Sequence, residues 1–273
     1  MENYEKQFNP QPTEEPKTPE LRQETASIAE SPQGSLENLN ESNESPKENQ
    51  EKVESVKSQK ETEWENKKKE IESWYDGEGY GIDEKIKDTV VAFNMVGLPT
   101  GASCEGHLDW GYSYPWVEVE APDEPDQRFI GQEKIFQKVA DEYGLSLEEI
   151  KKGENNEAYF KALEEAAENG ETPEYEEWRH KNQELMKKAS EFLDEFYMAR
   201  KAPENIKLEI SEDTEGSFRI NNNSGEDTRP ASKEKFEKLT DEQKIELSQR
   251  LEQYQSEMKE FTKFLKDKYF SSP

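Results

Sequence analysis

The sequence has very little cysteine, histidine or apolar side chain. Its 273 residues include one cysteine, two histidines and only 30% apolar residues. A single cysteine cannot close a disulfide within the chain. An apolar fraction this far below the usual value of about 45–50% predicts that part of the chain stays outside a packed core.

Long apolar runs and the common catalytic signatures are also missing. No run approaches the roughly 18–20 apolar residues of a membrane span, and no basic-then-apolar secretion signal opens the chain. We therefore expect a cytoplasmic protein. The phosphate-binding loop, the dinucleotide glycine motif, H-E-x-x-H and G-x-S-x-G do not occur, which argues against nucleotide hydrolases, dinucleotide oxidoreductases, zincins and α/β-hydrolases.

What the chain has in excess is negative charge. Its 64 acidic and 36 basic residues give a formal net charge of −28. Nucleic acids and anionic membrane surfaces are themselves polyanions, so this field repels both. The charge disfavours a nucleic-acid partner and is compatible with a protein partner.

The composition changes near residue 60. Residues 1–60 are rich in Glu, Gln, Ser, Asn and Pro, with isolated apolar residues such as Phe8 and Leu21. Such a segment buries too little surface to compensate for the entropy lost on ordering, so it predicts a disordered acidic tail. Apolar residues at helical spacing begin near Glu61, and residues 61–273 predict a single α+β domain.

Strand and helix signals alternate along this domain. The sequence predicts Asp83 as the N-cap of a helix. Gly97 ends this helix, and Pro99 prevents its continuation. Capping boxes at Ser146 and Thr240, and a Thr-Pro start at 172–173, predict three more helices. Four short runs, 100–105, 116–121, 206–210 and 217–220, alternate apolar and polar residues. This pattern predicts a small, mainly antiparallel sheet packed on one face by long helices.

Two helices carry a straight apolar seam with a 3.5-residue period, which suits packing along a neighbouring helix. The seams are Trp178, Asn182, Leu185, Ala189, Phe192 and Phe196, and Leu247, Leu251, Tyr254, Met258, Phe261 and Leu265. The simplest interpretation is packing within the chain. The alternative is a coiled coil or another protein–protein interface formed along the seam.

The scarce reactive side chains gather in one segment, Ser103-Cys104-Glu105-Gly106-His107, followed by Asp109. One hypothesis is catalysis, with Cys104 as nucleophile, His107 as base and Glu105 to orient it. A second is a divalent metal held by His107, Glu105 and Asp109, with Glu118 as a further ligand. The structural alternative is that Cys104 is simply a small buried side chain, and the acidic surroundings favour its neutral thiol.

An aromatic run follows this segment at alternate positions: Trp110, Tyr112, Tyr114 and Trp116. Aromatic walls beside a few polar groups are typical of small-molecule pockets, although the same rings could close one end of the core. In a regular strand, Cys104 and His107 face opposite ways. Any joint chemistry therefore requires the backbone to turn at Gly106, which glycine readily permits.

The run Gly97-Leu98-Pro99-Thr100-Gly101-Ala102 leading into this segment resembles a helix–turn–strand motif of uncharacterised bacterial and phage proteins. The resemblance covers about residues 83–121 and implies a recurring structural unit without a known activity. The sequence thus predicts a cytoplasmic protein with a ligand, metal or catalytic site around Ser-Cys-Glu-Gly-His. The alternative is a non-enzymatic interaction protein that uses the helical seam.

Overall fold

The computed structural model describes residues 46–75, 79–212, 216–222 and 231–272, with only the backbone described for 46–57 and for Ala231. The first 45 residues of the predicted tail lie outside the described residues. Helix α1 spans Pro46–Ile71, so helical structure begins before Glu61, where the sequence predicts it. Within the described residues, no helix combines the length and apolar character needed to cross a membrane.

In the part of the chain that the structure describes, seven further helices and six strands follow α1. The helices are α2 (Lys87–Met95), α3 (Gln132–Tyr143), α4 (Leu147–Lys151), α5 (Asn156–Ala167), α6 (Pro173–Met198), α7 (Lys233–Glu237) and α8 (Asp241–Ser271). The strands are β1 (Thr100–Cys104), β2 (Trp110–Gly111), β3 (Trp116–Val119), β4 (Glu209–Glu212), β5 (Phe218–Asn221) and β6 (Ala231–Ser232).

The main sheet is antiparallel, with the strand order β1-β3-β5-β4, and β2 pairs separately with β6. Alternation along the strands divides its faces as expected. Val117, Val119 and Ile220 are fully buried against the helices. On the opposite face Glu118 lies beside Arg219, with an ion pair of 2.6 Å. The predicted α+β class with a small antiparallel sheet is confirmed.

Helix starts follow the predicted capping signals. Ser146 and Thr240 each accept a backbone N–H at N3 and complete a capping box. Thr172 caps α6, with Pro173 in the first turn. The strand predicted over 206–210 instead begins at Glu209, because a 3₁₀ turn at Glu204–Ile206 follows Pro203 and delays the extended backbone.

The described residues contain two sizeable clusters of buried apolar side chains. The larger joins the sheet to α1, α2, α6 and α8. The smaller lies among α3, α4 and α5, where three alanines allow close helix approach beside Phe136 and Val139: Ala158, Ala162 and Ala166. The larger cluster contains the buried face of α2 and of β3, the strand that pairs with β1, and these elements lie beside the candidate site.

Most residues of both predicted seams are buried within the chain. On α6 the side chains of Trp178, Asn182, Ala189 and Phe196 are buried, and on α8 Leu251, Tyr254, Met258, Phe261 and Leu265 are buried. The Phe261 ring lies 5.2 Å from Phe196 of α6 and 5.9 Å from Phe93 of α2. Packing within the chain therefore accounts for these buried side chains, while Leu185, Phe192 and Leu247 of the two seams are half-buried.

Candidate metal centre

The site begins at β1, an edge strand whose register shifts between Thr100 and Ser103. Beyond the shift, Ser103 pairs with Val117 and Cys104 pairs with Trp116. Directly opposed residues share a face, so Cys104 lies on the Trp116 side of the sheet. The sequence groups Cys104 with Ala102 and the core valines. The grouping with the core valines is wrong because the shift in register places Cys104 on the opposite face, although its side chain is buried.

The chain turns sharply at Gly106, which has φ 82°. A Cβ atom there would lie 2.7 Å from the Tyr114 carbonyl carbon and 2.8 Å from Cδ1 of Leu251. Glycine alone satisfies both the positive φ and the close approach. The turn is closed by the His107 N–H, which donates to the Tyr112 carbonyl at 2.8 Å.

The turn brings Cys104 and His107 together with a third residue, Asp83. One potential ligand atom of each lies within 4.8 Å of the other two. Asp83 Oδ2 is 3.2 Å from His107 Nε2 and accepts the Glu105 backbone N–H at 3.1 Å. The Cys104 thiol also hydrogen-bonds to Asp83, and Cys104 Sγ accepts the Gly106 N–H at 3.4 Å. We call these three residues the Asp83–Cys104–His107 cluster.

Sequence reasoning missed Asp83 as a site residue. An aspartate after a glycine-rich break, just before a helical stripe, has the signature of an N-cap. In the structure α2 begins at Lys87, its N-cap position is Ile86, and no side chain caps it. The Asp83 carboxylate instead contacts the turn some twenty residues later. No local sequence pattern distinguishes these two roles.

The other predicted site residues lie outside the cluster. The Glu105 carboxylate accepts the Lys85 N–H at 3.0 Å, which ties the α1–α2 loop to the turn. Asp109 is exposed to solvent. Glu118 pairs with Arg219 on the sheet face, at 2.6 Å. Of the predicted residues, the fold therefore gathers Cys104 and His107 and adds Asp83.

The surroundings of Cys104 favour its protonated form. The pKa of the thiol is raised from 9.0 to about 11, and burial is the largest cause. The Gly106 N–H acts in the opposite direction and lowers the pKa, whereas the negative charges of Asp83 and Glu105 contribute to raising it. The thiolate is the nucleophilic form of cysteine, so at neutral pH the metal-free cluster holds a poorly reactive thiol.

This pKa predicts slow alkylation of Cys104. In metal-free protein at pH 7.5, iodoacetamide should react with Cys104 at least about tenfold more slowly than with the same protein unfolded in urea, because burial and the low thiolate fraction both oppose attack. Mass spectrometry of quenched samples measures both rates. Rapid labelling of the folded protein would contradict this prediction and would support Cys104 as a nucleophile.

A cavity of about 840 Å³ lies beside the cluster. Asp83 and Cys104 contribute to its lining, as do Trp110, Tyr112 and Trp116 of the predicted aromatic run. Trp110 also stacks on the His107 ring, with the centroids 3.8 Å apart and the planes 19° from parallel. The cluster therefore lies at the wall of a space large enough for a small molecule.

Comparison with known proteins finds no matching family model, curated protein or solved structure. The resemblance of residues 83–121 to the uncharacterised bacterial and phage motif thus stays a prediction.

Proposed function

We propose that the protein binds a divalent transition metal, preferentially zinc, through Asp83, Cys104 and His107. The observation that carries the proposal is the convergence of carboxylate, thiol and imidazole atoms within 4.8 Å. Zinc accepts all three ligand types, at bond lengths of about 2.0–2.3 Å that place ligand atoms roughly 3–4 Å apart. Asp83 Oδ2 and His107 Nε2 already have that spacing, at 3.2 Å. The proposed ligand set keeps His107 from the sequence prediction and replaces Glu105 and Asp109 with Asp83 and Cys104.

Charge and orientation both support this ligand set. A thiolate and a carboxylate together neutralise the charge of Zn²⁺, and metal binding deprotonates a coordinating thiol. Around the cluster, the Glu105 N–H donates to Asp83, the Gly106 N–H donates to Cys104 Sγ, and Trp110 stacks on His107. Such contacts outside the ligand set hold ligands in place before the metal arrives.

Three protein ligands beside a cavity suit a catalytic type of site better than a structural one. Structural zinc sites have four protein ligands, whereas catalytic sites have three and leave a position for water or substrate. A metal in this cluster would lower the pKa of a bound water or polarise a substrate oxygen at the cavity wall. The reaction class we propose is accordingly metal-assisted hydrolysis.

The proposal includes the cytoplasmic location that the sequence predicts. A free thiol ligand persists most readily where the cell keeps thiols reduced. Two rival hypotheses receive less support. The raised pKa of Cys104 opposes a thiolate nucleophile, and burial of the α6 and α8 seams opposes a partner interface along them.

The chain offers a matched histidine control for the test. His180 lies on α6 and is not part of the cluster. Its side chain is 69% exposed, and its Nε2 lies 3.7 Å from Glu184 Oε1. Metal-stripped full-length protein should bind one equivalent of zinc. The His107→Ala variant should lose at least about 100-fold in affinity, whereas His180→Ala should bind as the wild type does.

Cobalt identifies the sulfur ligand directly. Thiolate coordination to Co²⁺ gives a near-ultraviolet charge-transfer band, and here the only sulfur able to supply a thiolate is that of Cys104. The band should appear in wild type and His180→Ala and vanish in Cys104→Ser. Equal zinc content in wild type and His107→Ala, or a Co²⁺ spectrum without the band, would overturn the proposal.

A further inference from the structure

The cavity beside the cluster is unusually rich in aromatic rings. Six aromatic side chains contribute to its lining: Trp74, Tyr75, Tyr80, Trp110, Tyr112 and Trp116. Tyr75 and Tyr80 are each 68% exposed and Trp110 is 55% exposed, although large apolar surfaces normally favour burial. Exposed rings that gather on one concave surface are characteristic of a binding site.

The backbone holds these rings at the mouth of the cavity. Tyr75 forms an antiparallel bridge with Gly81, and its ring lies over that glycine, 3.8 Å from a Cβ position there. Trp110 is paired through β2 with Ser232, and its ring stacks on His107. Rings from two separate loops are thus fixed around one space.

The charge of the lining is acidic. Among the described residues that line the cavity, Asp83 supplies a carboxylate, and none is a lysine or arginine. The guanidinium of Arg219 lies 4.4 Å from the Trp116 ring centre, and Glu118 pairs with it at 2.6 Å. The chain as a whole carries a formal charge of −28. The cavity therefore combines several aromatic rings with a nearby carboxylate, and the guanidinium beside Trp116 is paired with Glu118.

We infer that this cavity binds a small organic cation bearing a quaternary or alkylammonium group. Ring faces attract such cations through their quadrupoles, and several rings around one site are the arrangement that recognises quaternary ammonium. An anion would be repelled, and a neutral molecule of the same shape would gain only apolar burial. A volume of about 840 Å³ lies within the range of small-molecule sites.

The inference is compatible with the proposed metal site and does not depend on it. In metal-free protein the Asp83 carboxylate adds to the attraction for a cation. With Zn²⁺ bound by one thiolate and one carboxylate, the centre has no net charge and does not repel a cation. Cation binding can therefore be measured with the metal removed.

The test compares choline with its neutral isostere 3,3-dimethylbutan-1-ol on full-length protein in the presence of a chelator. Tryptophan fluorescence and calorimetry follow both titrations. We expect saturable binding of choline, roughly tenfold or more tighter than binding of the isostere. Equal binding of the two molecules, or no saturable binding of choline, would overturn the inference.

Variants locate the binding in the cavity. Trp110→Ala and Tyr80→Ala should each weaken choline binding several-fold, and Tyr80→Phe should retain it because the ring face remains. Phe160→Ala is the control, since Phe160 is 63% exposed on α5, outside the cavity lining. Weakening in Phe160→Ala equal to that in Trp110→Ala would also overturn the inference.

A zinc titration of the same wild-type protein separates the two proposals. Choline binding without zinc binding would overturn only the metal site. Zinc binding without choline binding would overturn only the cation site.

Discussion

Replacing Gly106 with alanine is expected to destabilise the protein by about 2–5 kcal/mol and to abolish metal binding. The left-handed backbone at φ 82° contributes about 1–2 kcal/mol of this loss. The added Cβ would also lie 2.7 Å from the Tyr114 carbonyl carbon and 3.0 Å from the Pro115 nitrogen. Both atoms belong to the backbone, so the turn has to shift, and overpacking of this kind costs about 1–3 kcal/mol.

Gly144→Ala supplies the matched control. Gly144 also has a positive φ, 68°, but a Cβ there would have no neighbour within 4 Å. It should show the backbone strain alone, about 1–2 kcal/mol, and bind zinc normally. Urea unfolding and zinc titration of both variants measure the two effects. Equal destabilisation in the two variants, with zinc binding retained by Gly106→Ala, would mean that the close contacts at Gly106 do not shape the site.

The site was predictable where it depends on local backbone chemistry. Cys104 and His107 are three residues apart, and the glycine between them allows a turn that unites them, as the structure shows. Asp83 was not predictable because its role depends on how the α1–α2 loop folds back over β1. Glu105 and Asp109 were proposed as ligands because they are close to His107 in sequence. In the structure the Glu105 carboxylate accepts the Lys85 backbone N–H, and Asp109 is exposed to solvent.

The fold, like the site, was predictable where it depends on regular local structure and not where it depends on distant contacts. Alternation along β3 and β5 correctly predicted a sheet with one apolar face, because a regular strand presents successive side chains to opposite faces. The prediction failed on β1, where the register shift reverses the side on which Cys104 lies. It also failed at the start of β4, where the turn after Pro203 delays the strand. Register shifts and turns depend on contacts with other segments of the chain, and the alternation within one strand does not reveal those contacts.

Helix α8 links the core to the candidate site. Its Gln255 donates to the Glu105 carbonyl at 2.9 Å, and its Leu251 packs against the Gly106 turn. Farther along the helix, Met258, Phe261 and Leu265 lie in the main core. These seam residues of α8 therefore pack within the chain, which is the simpler of the two interpretations that the sequence allows. They fix the position of the helix that supports the turn.

Phe261→Ala tests this packing within the chain. Phe261 is fully buried, and its ring lies against Phe93 of α2 and Phe196 of α6. Removing a ring from a packed core costs about 3–5 kcal/mol through lost burial and the cavity left behind. We expect that loss in urea unfolding, and the midpoint should not change with protein concentration in either the wild type or the variant, because the packing lies within one chain.

Ile245→Ala is the control on the same helix. Ile245 is 57% exposed, so truncation should change the free energy of unfolding by no more than about 0.5 kcal/mol. If the seam instead joined two chains, dilution would lower the wild-type midpoint, since a dimer's stability depends on protomer concentration. Phe261→Ala would then shift the protein toward monomer in light scattering. A concentration-independent midpoint together with a large loss in Phe261→Ala alone would place the seam inside the folded chain, where α8 supports the turn that carries Cys104 and His107.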